Sequence, residues 1–186
     1  MYKRQLYTWE AATGYEFFTL KGHTKGVTAL SWRSDGNVLA SSSEDGQIIL
    51  WEMNEGSQVK KWNAHPGGAL SVAFAPNGNL VSVGRDKTLK IWQGDGKQLK
   101  SIAASSDVVL SVAISHDTAR VFSGDIFGNI KVWNVESGAE LASIDPNPPT
   151  IDDQLAYSEQ RIRELTGELP KLCLLYTSDA ADDQAC

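Results

Sequence analysis

The sequence predicts an all-β fold made of repeated four-stranded units, followed by one helix. Three observations carry this reading. Trp9, Trp51, Trp92 and Trp133 recur at spacings of 42, 41 and 41 residues. Each closes a short alternating run: "QLYTW", "QIILW", "TLKIW" and "NIKVW". Alternation at period two marks a strand with one buried face. Glycine-bearing turn signals then punctuate each period twice, as tight antiparallel connections require.

The elements follow in order within each period. After each Trp comes a turn, containing Thr13-Gly14, Glu55-Gly56, Asp95-Gly96 or Ser137-Gly138. Midway through each full period lies a second one: Asp35-Gly36, Asn77-Gly78 and the weaker Asp117-Thr118. The runs "VTALSW", "LSVAFA" and "LSVAIS" precede it, and "VLASSS", "LVSVG" and "RVFSG" follow it. For the first full period the expected strands are Val27–Trp32, Val38–Ser43, Ile48–Trp51 and Gln58–Trp62, repeated twice downstream. Half a unit spans Leu6 to about Leu20; full units run about Thr24–Trp62, Gly67–Ile102 and Val108–Ile144.

A period of about 40–45 residues, with four strands and a closing Trp-acidic pair, resembles the WD-repeat family. Trp9-Glu10 and Trp51-Glu52 match that pair loosely, whereas Trp92-Gln93 and Trp133-Asn134 depart from it. Gly22-His23 matches the family's Gly-His pair, and Ala64-His65 differs by one residue. The resemblance implies a partial β-propeller over residues 6–145, with three full blades plus half a blade. Propellers close with about 4–8 blades, so more blades are expected upstream and the chain reads as a fragment.

The resemblance also implies a buried relay of His, Ser or Thr, Asp and Trp in each blade. In the first full blade it falls on His23, Ser43, Asp45 and Trp51. In the second it falls on His65, Asp86 and Trp92; Gly84 occupies the serine position, with Ser82 as the alternative. The third keeps only Trp133: Asp125 takes the serine place, Phe127 the aspartate place, and Ser105-Ser106 replace the Gly-His pair. That blade is expected to be held by apolar packing. Ser, His and Asp together invite a hydrolase reading. Recurrence in blade after blade, with no oxyanion hole beside it, argues for a structural role instead.

Other chemistry finds little footing. His23, His65 and His116 are dispersed, without metal-ligand spacing, and no cofactor is called for. Gly94-Asp95-Gly96-Lys97 is a hairpin turn instead of a phosphate loop, because it joins two strands and opens no helix. A formal net charge of −6 and a pI near 5.0 argue against nucleic-acid or anionic-membrane binding. No apolar run approaches the ~20 residues of a bilayer span.

Both termini resemble translated sequencing adapter. Residues 173–182, "CLLYTSDAAD", match the translation of a common transposase library adapter. The reverse complement of the same element, with GTG as start codon, gives Met1–Gln5. On that reading residues 1–5 and 173–186 are adapter-derived, and both cysteines, Cys173 and Cys186, leave the argument. Without those segments, 15 basic and 20 acidic residues remain, so the acidity survives.

Residues 146–172 are expected to form a Pro-rich linker and an amphipathic helix. Pro146, Pro148 and Pro149 end strand structure. Thr150 can cap the helix, with Asp152 and Asp153 in its first turn. Ile151, Leu155, Ser158, Ile162, Leu165 and Leu169 alternate at four and three, and Gly167 and Pro170 weaken the end. The seam fits either a short coiled-coil contact or a helix packed on the propeller's flank. The junction "SGDIFGNIKVWNVESGAELASIDPNPPTIDDQLAYSEQRI" resembles the propeller end of large WD-repeat proteins of planctomycete-type bacteria. That likeness implies a c-type cytochrome domain before the propeller.

The function expected is a non-catalytic protein-protein interaction scaffold. Its partner face is formed by the turns before each first strand and between second and third strands. Glu44, Arg85 and Ile126 are the candidate partner-facing residues. Association through Ile151, Leu155, Ile162 and Leu165 is a further expectation. The alternatives are a redox-associated module serving the cytochrome domain and a propeller enzyme, for which no residues converge. Partner identity and compartment stay open.

Overall fold

The computed structural model describes residues 4–144, 146, 155–163 and 166. The chain falls into two units, Met1–Pro146 and Asn147–Cys186. The first is all-β, with fourteen strands among the described residues. β1 (Gln5–Trp9) and β2 (Glu16–Lys21) form a two-stranded sheet. β3 (Val27–Trp32), β4 (Val38–Ser43), β5 (Gln47–Glu52) and β6 (Ser57–Asn63) form the first four-stranded sheet. β7 (Ala69–Phe74), β8 (Leu80–Gly84), β9 (Thr88–Trp92) and β10 (Gln98–Ala103) form the second. β11 (Val109–Ile114), β12 (Arg120–Asp125), β13 (Ile130–Asn134) and β14 (Glu140–Ile144) form the third. Every pairing is antiparallel and between sequence neighbours, so each sheet is a meander closed by tight turns.

The strands expected from the repeat are present; the third and fourth extend one residue further at each end, as Gln47–Glu52 and Ser57–Asn63. The Asp35-Gly36 and Asn77-Gly78 turns place glycine at φ +73° and +84°. The weaker signal, Asp117-Thr118, makes the same turn with Thr118 at φ 59°. Gly94–Lys97 is a hairpin turn, in which the Gly96 amide donates to the Gln93 carbonyl at 2.8 Å.

The core lies between sheets, one apolar layer per junction. Leu6, Leu20, Leu39, Ile49 and Trp51 fill the first layer. Val38, Ala40, Ile48, Leu50, Val72 and Trp92 fill the second. Val81, Val83, Leu89, Ile91, Val112 and Trp133 fill the third. The closing Trp of each full sheet thus belongs to the layer shared with the preceding sheet. Each layer buries aliphatic side chains worth about 1.5–3 kcal/mol apiece. Two polar clasps cross the second of these junctions: the Thr28 hydroxyl donates to the Ala69 carbonyl at 2.8 Å, and the Phe74 amide to Ser31 Oγ at 2.9 Å.

In the second unit, residues 155–163 and 166 are helical, and Leu155, Tyr157 and Ile162 are exposed. Ile151, Leu165, Leu169, Thr150, Gly167 and Pro170 lie outside the described residues. So do residues 1–3 and 173–186 of the adapter reading; Gln5 pairs with Lys21 in the β1–β2 ladder.

Candidate functional site

Each four-stranded sheet carries a buried polar chain behind its turn face. In the first, the His23 ring sits just before β3 and bridges two strands' ends. His23 Nδ1 lies 3.1 Å from Asp45 Oδ2, and Nε2 lies 2.8 Å from Ser41 Oγ. The indole Nε1–H of Trp51 donates to the same Ser41 hydroxyl at 2.8 Å. Asp45 also accepts the backbone amides of Thr24 at 2.8 Å and Gln47 at 2.9 Å. It thereby ties the loop before β3 to the β4–β5 turn.

The serine of this chain is Ser41, not Ser43. The ladder sets Leu39 opposite Trp51, and Ser41 is the next residue on that face of β4. Ser43 stands four residues from Leu39, roughly 13 Å along an extended strand, beyond the indole's reach. Its hydroxyl instead accepts the Asp45 amide at 3.2 Å.

The second sheet repeats the arrangement. His65 Nδ1 lies 2.8 Å from Asp86 Oδ1, and Nε2 lies 2.7 Å from Ser82 Oγ, which accepts from Trp92 Nε1 at 2.8 Å. Ser82 is the counterpart of Ser41, each ten residues before its Trp, so Gly84, the counterpart of Ser43, leaves no place in the chain vacant. Gly84 has its own reason: a Cβ there would lie 2.6 Å from the His65 ring carbon Cγ. Lys90 Nζ adds a contact to Asp86 Oδ2 at 3.3 Å.

The third sheet holds more polar structure than the expected lone Trp133. Trp133 Nε1 donates to Ser123 Oγ at 2.8 Å. Asp125 is buried and accepts from Ser105 Oγ and Asn129 Nδ2, both at 3.0 Å. It also accepts the amides of Phe127 and Asn129, at 3.0 Å each. Asp125 thus does the turn-holding work of Asp45 from two residues earlier, and Phe127 points outward, 68% exposed. The apolar packing expected of this blade is present, and a polar cluster joins it, because Asp125 accepts the Asn129 amide, the counterpart of Gln47, and reaches back to Ser105. Asn129, a second polar residue just past the turn, is the feature of the sequence that marks this cluster.

Electrostatics fix the protonation of these chains. Burial pushes the His23 and His65 imidazoles below their ordinary 6.5, outweighing the Asp45 and Asp86 carboxylates that favour the cation. Burial alone would raise Asp45 and Asp86. Hydrogen bonds override it and hold both below the ordinary carboxylate value, from Thr24, Gln47 and His23 on Asp45 and chiefly from His65 on Asp86. A neutral imidazole then donates from Nδ1 to the carboxylate and accepts the serine proton at Nε2. Ser41 and Ser82 have no solvent exposure, so no substrate atom can reach either hydroxyl.

Above the chains, the three partner-facing candidates occupy one repeated position. Glu44, Arg85 and Ile126 each follow directly on β4, β8 and β12. Their amides donate to Gly26, Gly68 and Val108 carbonyls at 2.9, 3.0 and 3.0 Å, and all three residues are exposed. Gly68 is the pivot between two of them: a Cβ there would lie 3.5 Å from Arg85 Cδ and from Glu44 Cα.

Stacked four-stranded meanders, each sealed by a buried Trp, define a partial β-propeller. Residues 14–52 and 56–93 match the WD domain, G-beta repeat family, which supports WD40 repeats on a propeller-like fold. The third sheet, where Ser105-Ser106 and Phe127 replace relay residues, lies outside those matches. The chain is 29% identical over 137 residues to the pre-mRNA-splicing factor cwf17 of Schizosaccharomyces pombe, covering 72% of this chain and 40% of that protein. It is 29% identical over 142 residues to the target of rapamycin complex subunit wat1 of the same yeast, covering 74% and 45%. The chain spans less than half the length of these curated relatives. The solved structure of U3-55K superposes with a TM-score of 0.69 at 21% identity, covering 77% of this chain and 48% of that one.

Proposed function

We propose that this chain is a non-catalytic protein-protein interaction scaffold whose turn face, carrying Glu44, Arg85 and Ile126, receives a protein partner. The observation that carries it is the repeated pinning of those three residues. In each, the backbone amide is tied to the preceding loop at 2.9–3.0 Å while the side chain stays in solvent. A pinned backbone presents its side chains at little further entropic cost, which is what a docking surface needs. The buried chains supply the rigidity, since their polar groups satisfy one another inside each sheet. The relatives support the reading: wat1 is a subunit of a complex. A subsidiary contact runs through the helix, where Leu155 and Ile162 are exposed and the sequence continues the seam at Ile151 and Leu165. We read the chain as part of a longer propeller protein.

The test combines affinity capture with a surface variant. The triple variant Glu44→Arg, Arg85→Glu, Ile126→Asp should keep its unfolding midpoint and lose a partner that the unaltered chain retains, confirmed with that partner purified. Retention of every partner by the folded triple variant overturns the assignment of this face.

A further inference from the structure

The outer strands β2, β6, β10 and β14 all break register at the same place. Trp9, Trp51, Trp92 and Trp133 stand opposite Glu16, Gln58, Gln98 and Glu140, and the residues before them stand opposite Phe18, Lys60, Lys100 and Ala142. One residue is left unpaired in each strand: Phe17, Val59, Leu99 and Leu141. All four are apolar and between 47% and 61% exposed. A bulge turns its extra side chain out of the ladder and blunts the strand edge against further pairing. The sheets that carry β6 and β10 share an apolar layer with a sheet on each side. Exposure of Val59 and Leu99 therefore belongs to the rim of the sheets.

Charge around this residue differs from sheet to sheet. Just before it β2 and β14 carry Glu16 and Glu140, whereas β6 and β10 carry Gln58 and Gln98. Just after it β6 and β10 carry Lys60 and Lys100, where β2 and β14 have Phe18 and Ala142. A turn of the next sheet closes against each of the first three outer strands. A Cβ on Gly56 would lie 2.6 Å from Phe18 Cδ1, one on Gly96 2.9 Å from Trp62 Cε3, and one on Gly138 3.4 Å from Ile102 Cδ1. The residues that follow these glycines are Ser57, Lys97 and Ala139. The middle seam, between β6 and the β9–β10 turn, thus brings together lysines from two sheets, Lys60 and Lys97, beside Val59 and Leu99. Among the described residues no ion pair holds Lys60, Lys97 or Lys100. The turn's own carboxylate, Asp95, accepts the Lys97 amide at 2.8 Å.

We propose that this middle seam docks an acidic amphipathic segment of a partner protein, its apolar side chains on Val59 and Leu99 and its carboxylates on Lys60, Lys97 and Lys100. Charge complementarity selects the occupant. The chain carries a formal net charge of −6, so the lysines form a local cationic patch on an acidic molecule. A nucleic acid or an anionic lipid surface extends beyond such a patch and meets repulsion there. A short acidic segment meets the patch alone, and its apolar side chains cover the two unpaired residues. The bulges blunt strand addition, so recognition runs through side chains. The seam lies at the Trp end of β5 and β9, opposite the turns that carry Glu44 and Arg85. Its failure leaves the reading of that turn face intact.

The test titrates the intact chain into a fluorescein-labelled amphipathic peptide of glutamate and leucine and follows its anisotropy. The peptide should bind saturably, and more weakly as salt is raised. Lys60→Gln with Lys97→Gln should weaken binding about tenfold, the size of two surface ion pairs. Lys21→Gln with Lys25→Gln removes the same charge from exposed positions elsewhere and should leave binding unchanged. Val59→Thr with Leu99→Thr should weaken it as well, and thermal unfolding checks that every variant is folded. Absence of saturable binding, equal losses from the two lysine pairs, or no loss from the threonine pair overturns the proposal. Phosphatidylserine vesicles that displace the peptide from the chain also overturn it, in favour of a lipid surface.

Discussion

Trp51 and Ser41 stand ten residues apart, and the indole Nε1–H of one donates to the hydroxyl of the other at 2.8 Å. The same ten-residue step joins Trp92 to Ser82 and Trp133 to Ser123, each at 2.8 Å. This bond is shared by all three four-stranded sheets, whereas the histidine link exists in two.

Ser41→Ala should therefore be costly. It strands the Trp51 donor and removes the His23 partner, both buried, for a loss of about 1–3 kcal/mol. Ser43→Ala removes one hydrogen bond to a backbone amide and should cost less than Ser41→Ala. Urea denaturation of the two variants side by side distinguishes them; equal losses would restore Ser43 to the chain.

Asp45→Ala should lower stability by about 1–3 kcal/mol, because Asp45 accepts two backbone amides and the His23 ring. The reciprocal change, Phe127→Asp, should bring no gain, since Asp125 already holds the Phe127 and Asn129 amides. Thermal unfolding checks both, and a raised midpoint for Phe127→Asp would contradict the account of the third sheet.

Thr118→Gly should stabilise. Thr118 sits at φ 59°, where its equivalents Gly36 and Gly78 sit at +73° and +84°. A branched L-residue in this region costs about 1–2 kcal/mol, offset in part by the greater chain entropy of unfolded glycine. The expected net gain is about 1 kcal/mol, read from the denaturation midpoint.

Stability should fall with pH in two windows. His23 and His65 are depressed in the folded state below 6.5, so the unfolded chain takes up their protons first. Their contribution is complete above 6.5 and is lost as pH falls through the folded values. Asp45 and Asp86 are depressed below 3.8, so their contribution is lost only in more acidic solution. Denaturation midpoints across pH 5 to 8 should slope upward, and His65→Asn should flatten that slope. A midpoint independent of pH over this range would show that the imidazoles are not held neutral.

Much of the fold was legible because it is periodic and local. The 41–42 residue Trp spacing, period-two alternation and paired glycines fix where strands begin, turn and end. The relay histidines and aspartates of the first two full sheets were legible through the likeness to WD repeats, with Asp45 and Asp86 each six residues before their Trp. Serine was misread because three consecutive serines, Ser41, Ser42 and Ser43, offer no local means of choosing among them. The choice depends on cross-strand register, which puts Ser41 under the indole and turns Ser42 toward Thr28, 2.9 Å away.

The sequence by itself determined the strands, their order and their antiparallel turns, since each depends on residues within a few positions of one another. Tertiary structure alone decided which faces are covered. Leu30 and Val72 are both aliphatic and occupy the same place in their sheets, yet one is exposed and the other buried. Burial is set by what the neighbouring sheet brings across a layer of side chains, and local pattern holds no record of a neighbour some forty residues away.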